Sequence, residues 1–215
     1  MGLLFRRTPI LRAGLEGQVR LPNSSKPLDN FPLPRTDSIE VVRTTLARAY
    51  SEPELIPQGG AKALNAAFNA RPIDRVRLYY GRYGADVMLK FSETNTYLQL
   101  FPLAGKGELA IGGKTIPLAP GKTAIVSSNV SWQFRCSADY EHLTLHIGAE
   151  VLTRKLAAMT GATIGGPLVL DAAQDITDPK TRILPDYLRS LVDTLNKADP
   201  GAALPTWWAS QTKRF

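Results

Sequence analysis

The sequence predicts a small antiparallel β-barrel or β-sandwich flanked by helices, and three observations carry that reading. From about Glu54 to Ile147 apolar residues recur at every second position, the period of a strand with one covered face. Turn residues interrupt this alternation at short intervals, the rhythm of all-β sandwiches and barrels. On both sides of the segment the period changes to that of an amphipathic helix.

The elements follow in order. Residues 1–36 hold five prolines around Asn23-Ser24-Ser25 and read as an irregular leader. A first helix is predicted over 38–50, with Asp37 as N-cap and Glu40 three residues later, similar to a capping box. Ile39, Val42, Leu46 and Ala49 form its apolar spacing. Val76, Leu78 and Tyr80 then alternate with Arg77 and Tyr79 as the first strong strand, and Gly81 and Gly84 punctuate its end. Val87, Leu89 and Phe91 make the next, and Tyr97 to Leu103 another. Leu109 and Ile111 lead into Gly112-Gly113, after which Ile116 and Leu118 resume. Such a pair between alternating runs marks a two-residue hairpin, since both turn positions favour positive φ. Pro120-Gly121 makes a further turn. Strands at Trp132-Phe134-Cys136 and Leu143-Leu145-Ile147 complete the sheet region.

Two helices follow. Val151, Leu152, Leu156 and Met159 mark one that Gly161 closes as a left-handed C-cap. A second covers roughly 179–197, with Ile183, Leu184, Tyr187, Leu188, Leu191, Val192 and Leu195 as its apolar stripe. Pro185 is tolerable only near its first turn. The stripe is wide enough for both the barrel and a partner, and near-heptad spacing at Leu184, Leu188, Leu191 and Leu195 predicts a homodimer through this helix. Residues 198–215 show neither period and are expected to be an unstructured or truncated tail. The reading is thus a leader at 1–36, one domain at 37–197, and that tail.

Composition narrows the function. The 215 residues are 44% hydrophobic, enough for the core of one domain. A single cysteine, Cys136, alternates with Trp132 and Phe134, so a buried structural thiol is expected rather than a nucleophile or a disulfide. Arg6, Arg7 and Arg12 interrupt the apolar N-terminus, against a secretory signal, and no stretch approaches the ~20 apolar residues of a membrane helix. A cytoplasmic protein with no membrane partner is expected. Lys and Arg number 26 against 19 Asp and Glu, which favours anionic partners, although scattered charges also describe a plain solvated surface.

Catalytic and metal chemistry find little support. The only histidines, His142 and His146, are four apart; on one strand face that is ~13 Å, too far to share a metal. Gly113-Lys114-Thr115 ends like a phosphate loop, but Glu108 stands where its first glycine belongs and strands flank it. No nucleophile setting or carboxylate pair is evident, so no catalytic residue, metal or cofactor is expected. Arg71 and Arg75, in RPIDR, are better candidates for ligand binding. Two guanidinium forks suit phosphate oxygens or guanine edges. Asn129, Ser131 and Trp132, in SSNVSW, add hydrogen bonds and a stacking surface if the two segments meet. Solvated arginines and an ordinary polar turn are the alternative.

The order of DSIEVVRTTLARAYSE, RVRLYYGRYGADVML, GGKTIPLAPGKTAIVSS and LTLHIGAEVLTRKLAAMTG resembles the N-terminal effector-binding domain of AraC-type transcription regulators over residues 10–197. The resemblance implies a mainly β fold with α: a cupin-like antiparallel β-barrel, an N-terminal helix and two C-terminal helices for dimerisation. It implies a small-molecule effector and no enzyme activity; a cupin-type isomerase or dioxygenase is the competing class. DNA would be read by a helix-turn-helix module that this sequence lacks, which suggests a truncated product, an isolated fragment or a stand-alone sensor. Arg71-Pro72-Ile73-Asp74-Arg75 and Asn129-Val130-Ser131 also resemble the RxxxR and [D/N]xSxxG pattern of PilZ-type cyclic di-GMP receptors, with Phe134 in place of the glycine. That resemblance makes cyclic di-GMP the leading effector, with a sugar or organic acid the alternative.

Overall fold

A computed structural model describes residues 26–60, 64–176 and 179–198. Most of the leader and nearly all of the tail lie outside that range. The described chain runs α1 (Ile39–Ala49), β1 (Glu54–Pro57), β2 (Ala67–Ile73), β3 (Val76–Arg82), β4 (Val87–Phe91), β5 (Thr96–Ala104), β6 (Gly107–Ile111), β7 (Lys114–Leu118), β8 (Lys122–Val126), β9 (Trp132–Cys136), β10 (Glu141–Gly148), α2 (Ala149–Thr160), β11 (Ala173–Asp175) and α3 (Pro179–Lys197). The strands form a five-stranded sheet in the order β1-β4-β9-β6-β7 and a six-stranded sheet in the order β11-β8-β5-β10-β3-β2. The predicted cupin-like fold is therefore present as two facing antiparallel sheets, a jelly-roll-like sandwich rather than a closed barrel.

Local chemistry explains the boundaries. Ser38, not Asp37, caps α1: its side-chain oxygen accepts from the Val41 amide, one of the donors the first turn leaves free. Gly112 and Gly113 both take positive φ between the paired Ile111 and Lys114, as the hairpin requires. Gly161 is left-handed at the end of α2, and its amide bonds the Ala157 carbonyl. Gly81 is not a strand end. It lies inside β3 opposite His142, and a Cβ there would stand 3.0 Å from that ring. Glycine here admits the imidazole and the Phe68 ring side by side.

Two apolar clusters divide the structure. One fills the sandwich, from Val42 and Leu46 of α1 through Phe68, Leu89, Phe91, Leu98, Leu109, Val126, Trp132 and Phe134. The other lies on the outer face of the six-stranded sheet, where Ile73, Leu78, Tyr80, Phe101, Leu143 and Leu145 meet Leu188, Leu191, Val192 and Leu195 of α3. The stripe predicted on the last helix is thus spent largely on its own sheet. Pro185 lies in the second turn of α3 rather than its first. The helix forgoes one backbone hydrogen bond there, and apolar packing of its next two turns outweighs that local cost.

A short strap precedes α1. Leu28 is fully buried in the outer cluster, and Asn69 donates from β2 to the Pro27 carbonyl at 2.7 Å. Asn30 donates to the Asn196 and Ala198 carbonyls at 2.8 and 2.9 Å, and Asn196 donates back to the Lys26 carbonyl. Lys26 pairs with Glu141 at 2.7 Å, and that carboxylate also accepts from the Tyr80 hydroxyl at 2.9 Å. Pro32 and Thr36 then bridge to Asn69 and Ala66 at the edge of the sheet.

Gly105, with φ +68°, joins β5 to β6, and a Cβ on it would meet backbone atoms of Tyr140 at 2.6 Å. Neither the conformation nor the neighbour can give cheaply. Gly105→Ala should cost several kcal/mol, combining ~1–3 kcal/mol of strain with the clash. Gly112→Ala, with open space around its Cβ, should cost only about 1 kcal/mol. Urea denaturation of the two variants checks the contrast.

Candidate functional site

Three regions hold the chemistry. The first is the interior of the sandwich. On β10 the alternation sends His142, Thr144 and His146 inward while Leu143 and Leu145 face α3. His142 packs among Tyr83, Phe134 and Tyr140, and His146 lies between Tyr50 and Tyr79, with ring centroids 4.6 and 4.5 Å away. Tyr50, directly after α1, closes this end against Phe91 and Trp132. Burial lowers the His142 pKa to about 4 and that of His146 to about 3. The Arg77 charge lowers His146 further, against a hydrogen bond to the Ala49 backbone. Both rings are neutral at pH 7. His142 Nδ1, His146 Nε2, Tyr140 Oη and Trp132 Nε1 are buried without a hydrogen-bond partner in the protein, an unusual concentration of polar atoms in one core.

The second region is a groove of about 460 Å³ between the β2–β3 hairpin, β10, α2 and α3. Leu78, Leu145, Leu188 and Leu191 form its floor, and Arg75, Arg154 and Lys155 stand among its lining residues together with Asp74. The hairpin is a two-residue turn at Asp74-Arg75 between the paired Ile73 and Val76. Asp74 takes φ +53° without glycine, as a short polar side chain can. The third region is a wide cleft of about 790 Å³ on the other flank of α2. Asn95, Ser128, Asn129, Glu150 and Arg154 line it beside Ala157, Ile164 and Pro167. Arg154 is common to both flanks, and its bond to Glu150 is long at 3.8 Å.

The residues singled out in the sequence fall in different places. Arg71 is a strand residue of β2, half-buried, with its guanidinium 4.5 Å from the centre of the Phe31 ring. Arg75 is exposed at the hairpin turn and lines the groove. Asn129 is exposed with φ +59° and lines the wide cleft; its backbone amide bonds the Thr94 carbonyl. Ser131 is exposed on a separate shallow surface with Lys90 and Lys114. Trp132 is only 4% exposed and stacks on Phe91 at 4.1 Å inside the sandwich. The structure therefore brings Arg75 and Asn129 to the two flanks of α2 and does not bring Trp132 to either arginine. Cys136 is buried, and burial raises its thiol pKa, which keeps it protonated. Arg154 and Lys155 escaped the sequence reading. Their signal is two adjacent cations on an amphipathic helix, common on any solvated face. Among the described residues no group of three His, Cys, Asp or Glu side chains could hold a metal ion.

A family model described as the AraC-binding-like domain matches residues 42–214. The chain belongs to the AraC-binding-like domain family. Membership points to an effector-sensing regulatory domain that binds a small molecule. The fold is similar to that of the AraC-like transcriptional activator CuxR, with 12% identity and a TM-score of 0.60. That alignment covers 79% of this chain and 61% of the CuxR chain, so the AraC-binding-like domain spans less than two thirds of its structural relative. Slighter likenesses reach KdgF from Halomonas sp., with 10% identity, TM-score 0.35, and 38% and 76% of the two chains covered. A predicted oxalate decarboxylase from Thermotoga maritima gives 18%, 0.36, and 45% and 91%. No curated protein matches the chain. No helix among the described residues is long and apolar enough to cross a membrane.

The neutral histidines give the AraC-binding-like domain a pH signature. Both imidazoles hold protons less readily when folded than their ordinary value of 6.5 allows, so the unfolded chain takes up protons first. Their contribution is complete above about pH 6.5, is lost as the pH falls toward about 4 and 3, and then levels off. Each imidazole should contribute a slope approaching ~1.4 kcal/mol per pH unit. In urea unfolding between pH 6.5 and 5, above the carboxylate range, His142→Gln should remove roughly half of the combined slope of the two histidines.

Proposed function

We propose that the chain is the effector-sensing and dimerisation domain of an AraC-like transcription regulator, with cyclic di-GMP as its effector. Support comes from family membership together with one observation: Arg154 belongs both to the groove that Arg75 lines and to the cleft that Asn129 lines. A dianionic dinucleotide laid over α2 meets guanidinium forks for its phosphates and guanine edges on one side. Asn129 and Ser128 offer hydrogen bonds on the other. In this reading Arg71 positions the hairpin through its Phe31 contact, Ser131 acts at the margin, and Trp132 supports β9 from within. The regulator works in the cytoplasm, and DNA is read by a module outside these 215 residues.

Calorimetry with cyclic di-GMP tests the effector. Arg75→Ala and Arg154→Ala should each weaken binding more than tenfold, since losing a charged contact commonly costs ~2–5 kcal/mol. Arg75→Lys should recover only part, because an ammonium lacks the planar fork. Trp132→Phe should change affinity less than about threefold, since its ring is held on Phe91. No dinucleotide binding by the wild type would end this reading.

The dimer would use what α2 and α3 leave uncovered. Ile183 is 72% exposed, Met159 67% and Leu184 37%, whereas Leu188, Leu191 and Leu195 are committed to the sheet. Ile183→Glu should therefore convert a dimer to a monomer in sedimentation at tens of micromolar, an order-of-magnitude range for a modest interface, while helix and strand content by circular dichroism stays unchanged.

The unpartnered His142, His146, Tyr140 and Trp132 atoms favour a second reading, a small neutral polar effector such as a sugar inside the sandwich. Only about 10 Å³ is open beside Tyr50 and His142, so Tyr50 would have to move aside. A thermal-shift screen separates the two readings: Tyr50→Ala would enhance sugar binding and leave dinucleotide binding unchanged.

A further inference from the structure

We infer that the groove between the β2–β3 hairpin, α2 and α3 binds a single-chain fatty carboxylate, its acyl tail on the Leu78, Leu145, Leu188 and Leu191 floor and its head group at Arg75 and Lys155. This site lies beneath the surface assigned to cyclic di-GMP and shares only its cationic rim. Three observations carry it. The groove is walled by apolar side chains from four elements, a lining that a wholly polar ligand leaves unused. Its volume of about 460 Å³ falls within the usual ~300–1,000 Å³ of small-molecule sites and suits one acyl chain better than a two-chain lipid. Its charges are concentrated in the hairpin and α2: Arg75 is exposed in the turn, Lys155 is half-buried, and neither has an ion-pair partner among the described residues.

Charge complementarity selects the head group. Arg154 is loosely engaged by Glu150 at 3.8 Å, and Asp74 is the acidic residue in the lining. Arg75, Arg154 and Lys155 set against Asp74 give the rim a net positive charge, which matches an anionic head group. A guanidinium fork accepts a carboxylate in bidentate geometry, and the lysine supplies a mobile second donor. The helical wall is also able to adjust. No residue of α2 is fully buried, so Val151 and Leu152 can close on a chain without disturbing either apolar cluster.

Titration of the full chain with octanoate, decanoate and dodecanoate, each below its micellar concentration, tests the inference. Affinity should tighten about fourfold for each added CH₂. Dodecanol should bind at least tenfold more weakly than dodecanoate, and dodecyl phosphate no more tightly. Arg75→Ala and Lys155→Ala should each weaken dodecanoate several-fold while leaving the chain-length slope intact. Val151→Trp should block dodecanoate and spare cyclic di-GMP. A flat chain-length series, equal binding of dodecanol, or tighter dodecyl phosphate would overturn the assignment. So would a dimer in sedimentation that excludes dodecanoate, because a second copy would then own the groove. Dodecanoate binding without dinucleotide binding supports the groove and sinks the dinucleotide reading; the reverse result sinks the groove alone.

Discussion

Burial of the six-stranded sheet on both faces is the constraint from which the rest follows. β10 shows it most clearly. It pairs with β3 on one side and β5 on the other, and its alternate residues supply two different interiors. A shift of register by one residue would exchange them, sending His142 and His146 to α3 and the leucines to the aromatic core. Neither cluster could accept that exchange, since the imidazoles would meet an aliphatic surface and the leucines would lose their helix. α3 is therefore part of the fold rather than an appendage, and its position defines one wall of the groove.

α2 stands apart from this arrangement. It follows β10 without a loop, so the sheet fixes where it starts, yet none of its residues is fully buried. The helix is anchored at its N-terminal end, where the Ala149 amide bonds the Asn95 carbonyl, and it presents cations to a groove on one side and a cleft on the other. A lightly packed element at the junction of two candidate ligand surfaces draws on the low end of the stability range, where ligand-responsive segments are generally found. Contacts made on either flank act on the same helix.

Much of this was legible in the sequence, and the exceptions have physical causes. Strands covered on one face announced themselves by alternation, as at Leu109-Ile111 and Trp132-Phe134-Cys136. β2 did not. Ala67, Phe68 and Asn69 are all buried, and a strand enclosed on both faces loses its alternation. Arg71 lies within β2, a strand not among those that alternation named. The hairpin at Asp74-Arg75 escaped notice because its positive φ falls on aspartate rather than glycine. For the binding residues, spacing identified types and not directions. Trp132 reads equally well as a stacking surface or as core, and only the facing sheet decides. The α3 stripe was found, but periodicity cannot say which surface covers it.

The strap before α1 ties the two ends of the described chain together. Asn30 bonds carbonyls at the end of α3, Asn196 answers at Lys26, and Lys26 reaches Glu141 at the irregular start of β10. Carbonyls at a helix end that water would otherwise satisfy are bound instead to residues more than 160 positions away. The last turn of α3 consequently cannot fray as an isolated helix end does. Its amides should exchange with solvent only when the strap lifts as well, at one shared rate, so the two ends of the described chain form a single cooperative unit.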